Sequence, residues 1–309
     1  MSDHAEKIGI ALAWHTLCWE ELLEITRLAS RRGYEVLYHD GDVTMLGSDS
    51  QRDVLHGWTT SNALIARSER IQIASIRLVQ HWNAPHLAQA IATAERIAPG
   101  RLGVFASIGE RPEDPAFGIP HLRTGERIQL LEESLDAMRA LWRGEEVTRE
   151  GTYVRLRGAR VRPIPPRPIS IELAGRRPRL LRVIARHADV WNVNWPPIPA
   201  RVAEAERNLA AACKEVGRDP DELERRMWIF TRVREPDPAA DRAEFRRLNP
   251  WFPELSDDEV DASMVVGSPA FCTQRLSEIA RSLRVLPIMD LSGTDFTTVQ
   301  AAVEAIPAG

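Results

Sequence analysis

IELAGRRPRLLRVIARHADVWNVN, residues 171–194, reads as one complete strand–helix–strand unit. An apolar run over 168–175 ends at Gly175. Pro178 then stands where the first turn of a helix tolerates a missing N–H, and the helix is expected over 178–188. Residues 189–195 return as a second apolar strand. Two apolar strands joined by a helical crossover are the repeating unit of a parallel sheet. The turn between them also carries chemistry. Free N–H groups at the helix start, the positive end of its dipole, and the side chains of Arg176 and Arg177 make a candidate phosphate cradle. The same residues suit an ordinary strand-to-helix turn with solvated arginines equally well.

Outward from this unit the pattern repeats. Strand-like runs fall at 7–14, 35–40, 71–79, 101–109, 168–175, 189–195, 226–233 and 284–293. Helical periodicity marks 19–33, 58–70, 85–100, 126–144, 178–188, 199–216 and 268–282. The helix over 126–144 places Ile128, Leu131, Leu135, Met138 and Trp142 on one stripe, so Trp142 is expected in the core. Residues 152–163 alternate with period two around Gly158 and predict a small hairpin outside the main sheet. Residues 235–264 are charged and show little strand character. Eight such units fit a closed (β/α)8 TIM barrel, with a small extra hairpin and loop insertions, better than an open doubly wound sheet. No GxGxxG follows the first strand, as a dinucleotide fold would require. The whole of 1–309 reads as a single α/β domain.

Composition narrows the function. The chain is 44% apolar and 27% charged with a net charge of −4, so it has material for a core and no field to attract a polyanion. Nucleic acid is not an expected partner. No apolar run approaches the length of a membrane span and no signal core opens the chain, so a soluble cytoplasmic protein is expected. Cys18, Cys213 and Cys272 are odd in number and lack paired spacing, which suggests neither a disulfide framework nor a zinc site. GxSxG, P-loop and catalytic-cysteine signatures are missing.

A barrel's active site lies at the C-terminal ends of its strands, which turns position into a list of candidates. His39 and Asp40, at the end of the second strand, are the candidate proton-transfer pair. Asp42 is an alternative. His15 and His81 follow other strands of the same face, and with Trp14, Trp82, Asn194 and Trp195 they outline a substrate pocket with aromatic walls. Trp191 belongs to the same aromatic cluster in this reading. Three histidines could ligate a metal, but the spacing that makes such a site is missing, so no metal is expected.

The chain resembles the bacterial luciferase-like superfamily of flavin- or deazaflavin-dependent oxidoreductases. The similarity lies in ordered blocks: WTTSNALIARSERIQIASIRLV, LAQAIATAERIAPGRLGVFASIG, GIPHLRTGERIQLLEESLDAMRALWRGEEVTREGTYVRL and the segment over 171–194. The resemblance implies a TIM barrel binding reduced FMN or coenzyme F420 at its mouth. By that analogy Ala174, Gly175, Arg176 and Arg177 hold the cofactor phosphate. A non-prolyl cis peptide supporting the ring would fall at or next to Ser75 and Ile76, and Ser107 would be a polar cofactor contact. The order His39, Asp40, Gly41, Asp42 departs from the family's acidic residue followed by histidine.

The expected function is therefore monooxygenation of a small organic substrate by reduced FMN and dioxygen, with the flavin supplied by a separate reductase. The alternatives are F420-dependent hydride transfer, with His39 or Asp40 handling the proton, and a non-catalytic ligand-binding or partner-subunit barrel. A homodimer is expected by analogy.

Overall fold

The apolar strands and amphipathic helices form a βα series in the computed structural model, which describes residues 7–12, 17–39, 41, 54–109 and 114–308. In chain order the elements are β1 (Gly9–Leu12), α1 (Trp19–Arg32), β2 (Val36–His39), α2 (Gly57–Arg67), β3 (Gln72–Leu78), α3 (Ala84–Ile97), β4 (Leu102–Ser107) and α4 (Thr124–Trp142). A hairpin of β5 (Val147–Glu150) and β6 (Arg155–Ala159) follows, then β7 (Ile171–Ala174), α5 (Pro178–His187), β8 (Val190–Asn192), α6 (Pro199–Val216) and β9 (Glu224–Val233). The chain ends with α7 (Pro238–Leu248), α8 (Asp257–Ser263), β10 (Val265–Gly267), α9 (Pro269–Leu283), β11 (Leu286–Asp290) and α10 (Phe296–Ala305).

Parallel pairing runs β1–β2–β3–β4–β7–β8–β9–β11 and returns to β1, closing eight strands into a (β/α)8 barrel. The two strand faces have different neighbours. Ala11, Val36, Tyr38, Ala74, Phe105, Leu286 and Ile288 pack together in the lumen, with Ile76, Ala174 and Trp228 against them. Ile10, Leu37, Ile73, Val104, Leu173, Trp191, Ile229 and Met289 face the helices and join the large core. Both faces are apolar because a parallel barrel is covered on both sides.

Helix ends are set by local chemistry. At the start of α1, the Glu21 carboxylate accepts from the Cys18 N–H at 2.9 Å. At its end Gly33 takes a left-handed conformation, φ 88°, and its N–H closes on the last turn. Trp142 is buried as its stripe predicts, and its indole N–H donates to Ala88 O at 3.0 Å.

Three features differ from the sequence reading. The hairpin begins five residues earlier than the alternation suggested. The Glu133 carboxylate on α4 accepts from the N–H groups of Thr152, Tyr153 and Val154, at 3.2, 2.8 and 2.8 Å, and so fixes as a turn the residues expected to form the first arm. The charged 235–264 stretch contains α7 and α8. Its few apolar residues, Phe245, Leu248, Phe252, Leu255 and Val260, bury together against Phe230 and Ile198. These helices thereby lie on the C-terminal ends of β8 and β9. Finally, β10 pairs with Thr231–Val233, beyond the point where the register of β9 with β11 stops at Phe230↔Asp290. No described helix is long and apolar enough to cross a membrane.

Candidate functional site

The turn after β7 is built by close packing. A Cβ on Gly175 would stand 2.6 Å from Leu180 Cδ2 and 3.2 Å from Ile184 Cδ1, so the glycine lets α5 seat directly on the strand end. Arg177 is the N-cap of α5 with no side-chain cap, and Pro178 opens the helix. Pro178 has no N–H and the Leu180 N–H donates to Arg177 O at 3.0 Å, so the Arg179 N–H is the donor that the first turn keeps for an anion, with the exposed Arg177 beside it.

Arg176 commits one terminal nitrogen to the α7–α8 segment. Its Nη2 donates to Trp251 O at 3.0 Å and lies 3.2 Å from Glu254 Oε1, tying the turn to the α7–α8 segment. Its guanidinium lies 3.9 Å from the Trp195 ring centre and 4.9 Å from that of Phe252, whose rings are themselves stacked at 5.5 Å. Burial lowers its pKa, and Glu254 opposes that shift. Nη1 is buried and has no partner among the described residues. The donor set of this turn, an uncapped helix start, one exposed arginine and one uncommitted guanidinium nitrogen, fits a phosphate group.

Beneath the mouth the otherwise apolar lumen holds a polar cluster. The Glu172 carboxylate accepts from Tyr38 Oη at 2.5 Å, Asn192 Nδ2 at 3.0 Å and Arg226 Nη1 at 3.2 Å. Arg226 also donates to Tyr38 Oη, Gln72 Oε1 and Glu224 Oε1. Burial pushes the Glu172 carboxyl up, and the neighbouring donors oppose it. With Glu172 holding its amide nitrogen, Asn192 turns its Oδ1 to the N–H of Asn194, 3.4 Å away, where the backbone is left-handed at φ 53°. On β11, Asp290 shares the lumen face of Leu286 and Ile288. Its Oδ1 accepts from Ser292 N at 3.0 Å, and burial raises its pKa.

The predicted residues are distributed unevenly around this mouth. Ala174 and Ile76 pack against the lumen cluster, and Ser107, two residues after Phe105 on β4, shares its face and accepts from Gly109 N at 3.1 Å. His39 and Ser75 lie on the helix-facing side of their strands, as does Arg77. His39 Nε2 is 2.9 Å from Ser61 Oγ on α2, which lies 3.4 Å from Ser75 Oγ and accepts from Arg77 Nη2 at 3.3 Å. The cis peptide expected at Ser75 and Ile76 is not found. Among the described residues the cis bond is Arg162–Pro163, and β3 keeps an unbroken ladder with β4 through Leu78↔Ser107.

Trp191 is not a mouth residue: it is fully buried under α5, and its indole N–H donates to Gly175 O at 2.8 Å. His81 pairs with Asp114 beyond β3 at 2.8 Å. Trp82 packs edge-on against Trp58 and borders an outer cleft of about 450 Å³ between α3, α4 and the hairpin. Trp14, His15, Asp40 and Asp42 lie outside the described residues. Sequence reasoning missed Asp114, Phe252 and Glu254, which sit in segments without periodicity, and Tyr38 and Arg226, whose strands read as uniformly buried.

A model of the luciferase-like monooxygenases matches residues 7–285. The chain belongs to that family. This luciferase-like chain is 31% identical over 186 residues to the F420-dependent glucose-6-phosphate dehydrogenase of Beutenbergia cavernae, a match covering 59% of this chain and 55% of the other. It thus spans about half the length of curated relatives such as this one. Among solved structures it superimposes on an F420-dependent secondary alcohol dehydrogenase in complex with an F420–acetone adduct, with a TM-score of 0.81 at 20% identity and 98% of each chain covered. An EDTA monooxygenase from Chelativorans sp. BNC1 gives a TM-score of 0.79 at 12% identity, covering 97% of this chain and 92% of the other. These two likenesses establish the luciferase-like barrel fold.

Proposed function

We propose that this protein is an F420-dependent oxidoreductase of the luciferase-like class, moving hydride between the deazaflavin and a small alcohol or carbonyl substrate. The observation that carries the reading is the turn over 174–178 at the C-terminal face, where an uncapped helix start, Arg177 and the free Nη1 of Arg176 suit a phosphate-bearing cofactor. Both FMN and F420 carry such a phosphate. The curated relative's F420-dependent activity favours the deazaflavin. The family description, luciferase-like monooxygenase, supports reduced FMN with dioxygen as the second reading.

Bound F420 supplies hydride exchange at its ring. The chain's residues do the rest. Arg177 and the Arg179 N–H at the start of α5 would hold the phosphate. Ala174, Ile76 and Trp228 would offer the ring apolar surface in the lumen. The α7–α8 segment, with Phe230, Phe252 and Trp195 at its base, shields the mouth from water. Asp290, whose pKa burial raises, is the carboxyl placed on the lumen side of β11 to exchange a proton.

The test is a titration of purified protein with F420 and FMN, each oxidised and reduced, read by fluorescence. Preference for F420 is the expected result, and Arg177→Ala should weaken it roughly tenfold, the worth of one charge-assisted hydrogen bond. Arg176→Ala should weaken it as well. Tight binding of reduced FMN with dioxygen-dependent reoxidation would move the protein to the monooxygenase reading. Binding of neither would leave a non-catalytic barrel.

A further inference from the structure

Just past the end of β3, two side chains share the carboxylate of Asp114. Asp114 Oδ1 lies 2.8 Å from His81 Nε2, and Asp114 Oδ2 accepts from Gln80 Nε2 at 3.2 Å. Gln80 Nε2 also donates to Gly109 O at 2.8 Å, just beyond β4. The cluster therefore stands at the C-terminal face of the barrel, between the third and fourth strands, beside the lumen-facing end of β3.

These contacts fix the orientation of both polar groups. The Gln80 amide faces two acceptors, so its nitrogen points to them and its Oε1 points away. A carboxylate against His81 Nε2 places a ring proton there, so that in the neutral ring Nδ1 is an acceptor. Side-chain exposure is only 5% for His81 and 6% for Asp114. Yet His81 Nδ1 and Gln80 Oε1 are both buried without a donor among the described residues. A buried acceptor left unpaired is costly, and two beside one carboxylate call for a cause. Pinning the β4–α4 loop accounts for Asp114 and for the N–H groups that reach it. It does not account for the two remaining acceptors.

We propose that Gln80 and His81 form a subsite for a hydrogen-bond donor of the substrate, a hydroxyl group. The site offers the Asp114 carboxylate and two acceptors and no lysine or arginine, which disfavours a phosphate or carboxylate at this point. The assignment of the donor to a substrate rests on the oxidoreductase reading above. The hydrogen-bond chemistry of the subsite does not.

The experiment uses the full chain with 15N-labelled histidine, the His81 ring nitrogens being assigned by their loss in His81→Asn. Free protein should show His81 protonated at Nε2, with Nδ1 bare. Addition of 2-propanol, cyclohexanol or glucose should shift Nδ1 toward its hydrogen-bonded position, while the matching methyl ethers leave it in place. Gln80→Met should weaken binding of the responding alcohol roughly fivefold or more, the loss of one hydrogen bond, with cofactor affinity unchanged. Protonation at Nδ1 in the free protein, or an Nδ1 that none of the alcohols moves, overturns the subsite. Cofactor binding is measured on the same sample. If F420 binds and no alcohol shifts Nδ1, the subsite falls and the oxidoreductase reading stands. If an alcohol shifts Nδ1 and neither F420 nor FMN binds, the reverse holds.

Discussion

The indole N–H of Trp191 donates to the carbonyl oxygen of Gly175 across 2.8 Å, joining β8 to the turn that opens α5. In a trans peptide the carbonyl and the following N–H point in opposite directions. With the Gly175 carbonyl drawn into the core, the N–H of Arg176 is directed away from it, at the place assigned to the cofactor phosphate. Trp191→Phe keeps the ring and removes the donor. The variant should lose about 1–3 kcal/mol of stability, the cost of an unpaired buried carbonyl. It should also bind F420 several-fold more weakly while binding the phosphate-free deazaflavin chromophore as well as wild type does. Equal weakening toward both ligands would assign Trp191 to packing alone.

The same turn predicts a steric cost. Gly175→Ala places a methyl group 2.6 Å from Leu180 Cδ2 and 2.8 Å from Leu180 Cγ, where Ile184 leaves no slack. Overpacking of this kind costs about 1–3 kcal/mol. Denaturant unfolding should show a lower midpoint with an unchanged slope, and adding Leu180→Ala to Gly175→Ala should cost less than the two single losses combined. Strict additivity would place the strain elsewhere.

What the sequence made legible was the order of elements. Residues 199–216 are helical as read, and the strand–turn–helix of 171–187 falls where Gly175 and Pro178 place it. The facing of strand residues was not legible. Val36, Leu37, Tyr38 and His39 are all buried, so no polar alternation distinguishes the lumen from the helix side. His39 and Ser75 accordingly read as mouth residues, although both meet Ser61. Arg176 shows the second limit. Its partners, Trp251 and Glu254, lie in a stretch whose helices carry too few apolar residues to show a period.

Arg226 and Glu172 form a buried ion pair inside the barrel, with side-chain exposures of 7% and 5%. Removing one member leaves the other charge without its partner. Arg226→Met should cost about 3–5 kcal/mol on that ground. Glu172→Gln strands Arg226 less severely, because Glu224 remains 2.7 Å from its Nε. Double-mutant unfolding should give a combined loss well below the sum of the two single losses. A fully additive pair would mean that the two groups do not stabilise each other.

Asp290 should make stability fall as pH rises. Its carboxyl faces the lumen, and Arg232, the cation that opposes the shift, donates to its main-chain oxygen at 3.0 Å. Burial raises the pKa, while Ser292 and Arg232 oppose the shift and Glu244 adds to it. From the ordinary carboxylate range near about 4 up to the raised value, the folded protein holds a proton that the unfolded chain has released. Unfolding free energy therefore declines as pH increases through that window, and the stabilisation is complete only below it. Glu172 is raised by burial too and contributes a slope of the same sign, so wild type alone cannot isolate Asp290. The difference between wild type and Asp290→Asn can, because the Glu172 contribution cancels. The asparagine variant should gain on wild type steadily as pH increases through the window and then run parallel to it. A difference that does not change with pH would mean that Asp290 ionises in the folded protein as it does in the unfolded chain, and the proton-exchange role given to it would fall to another group.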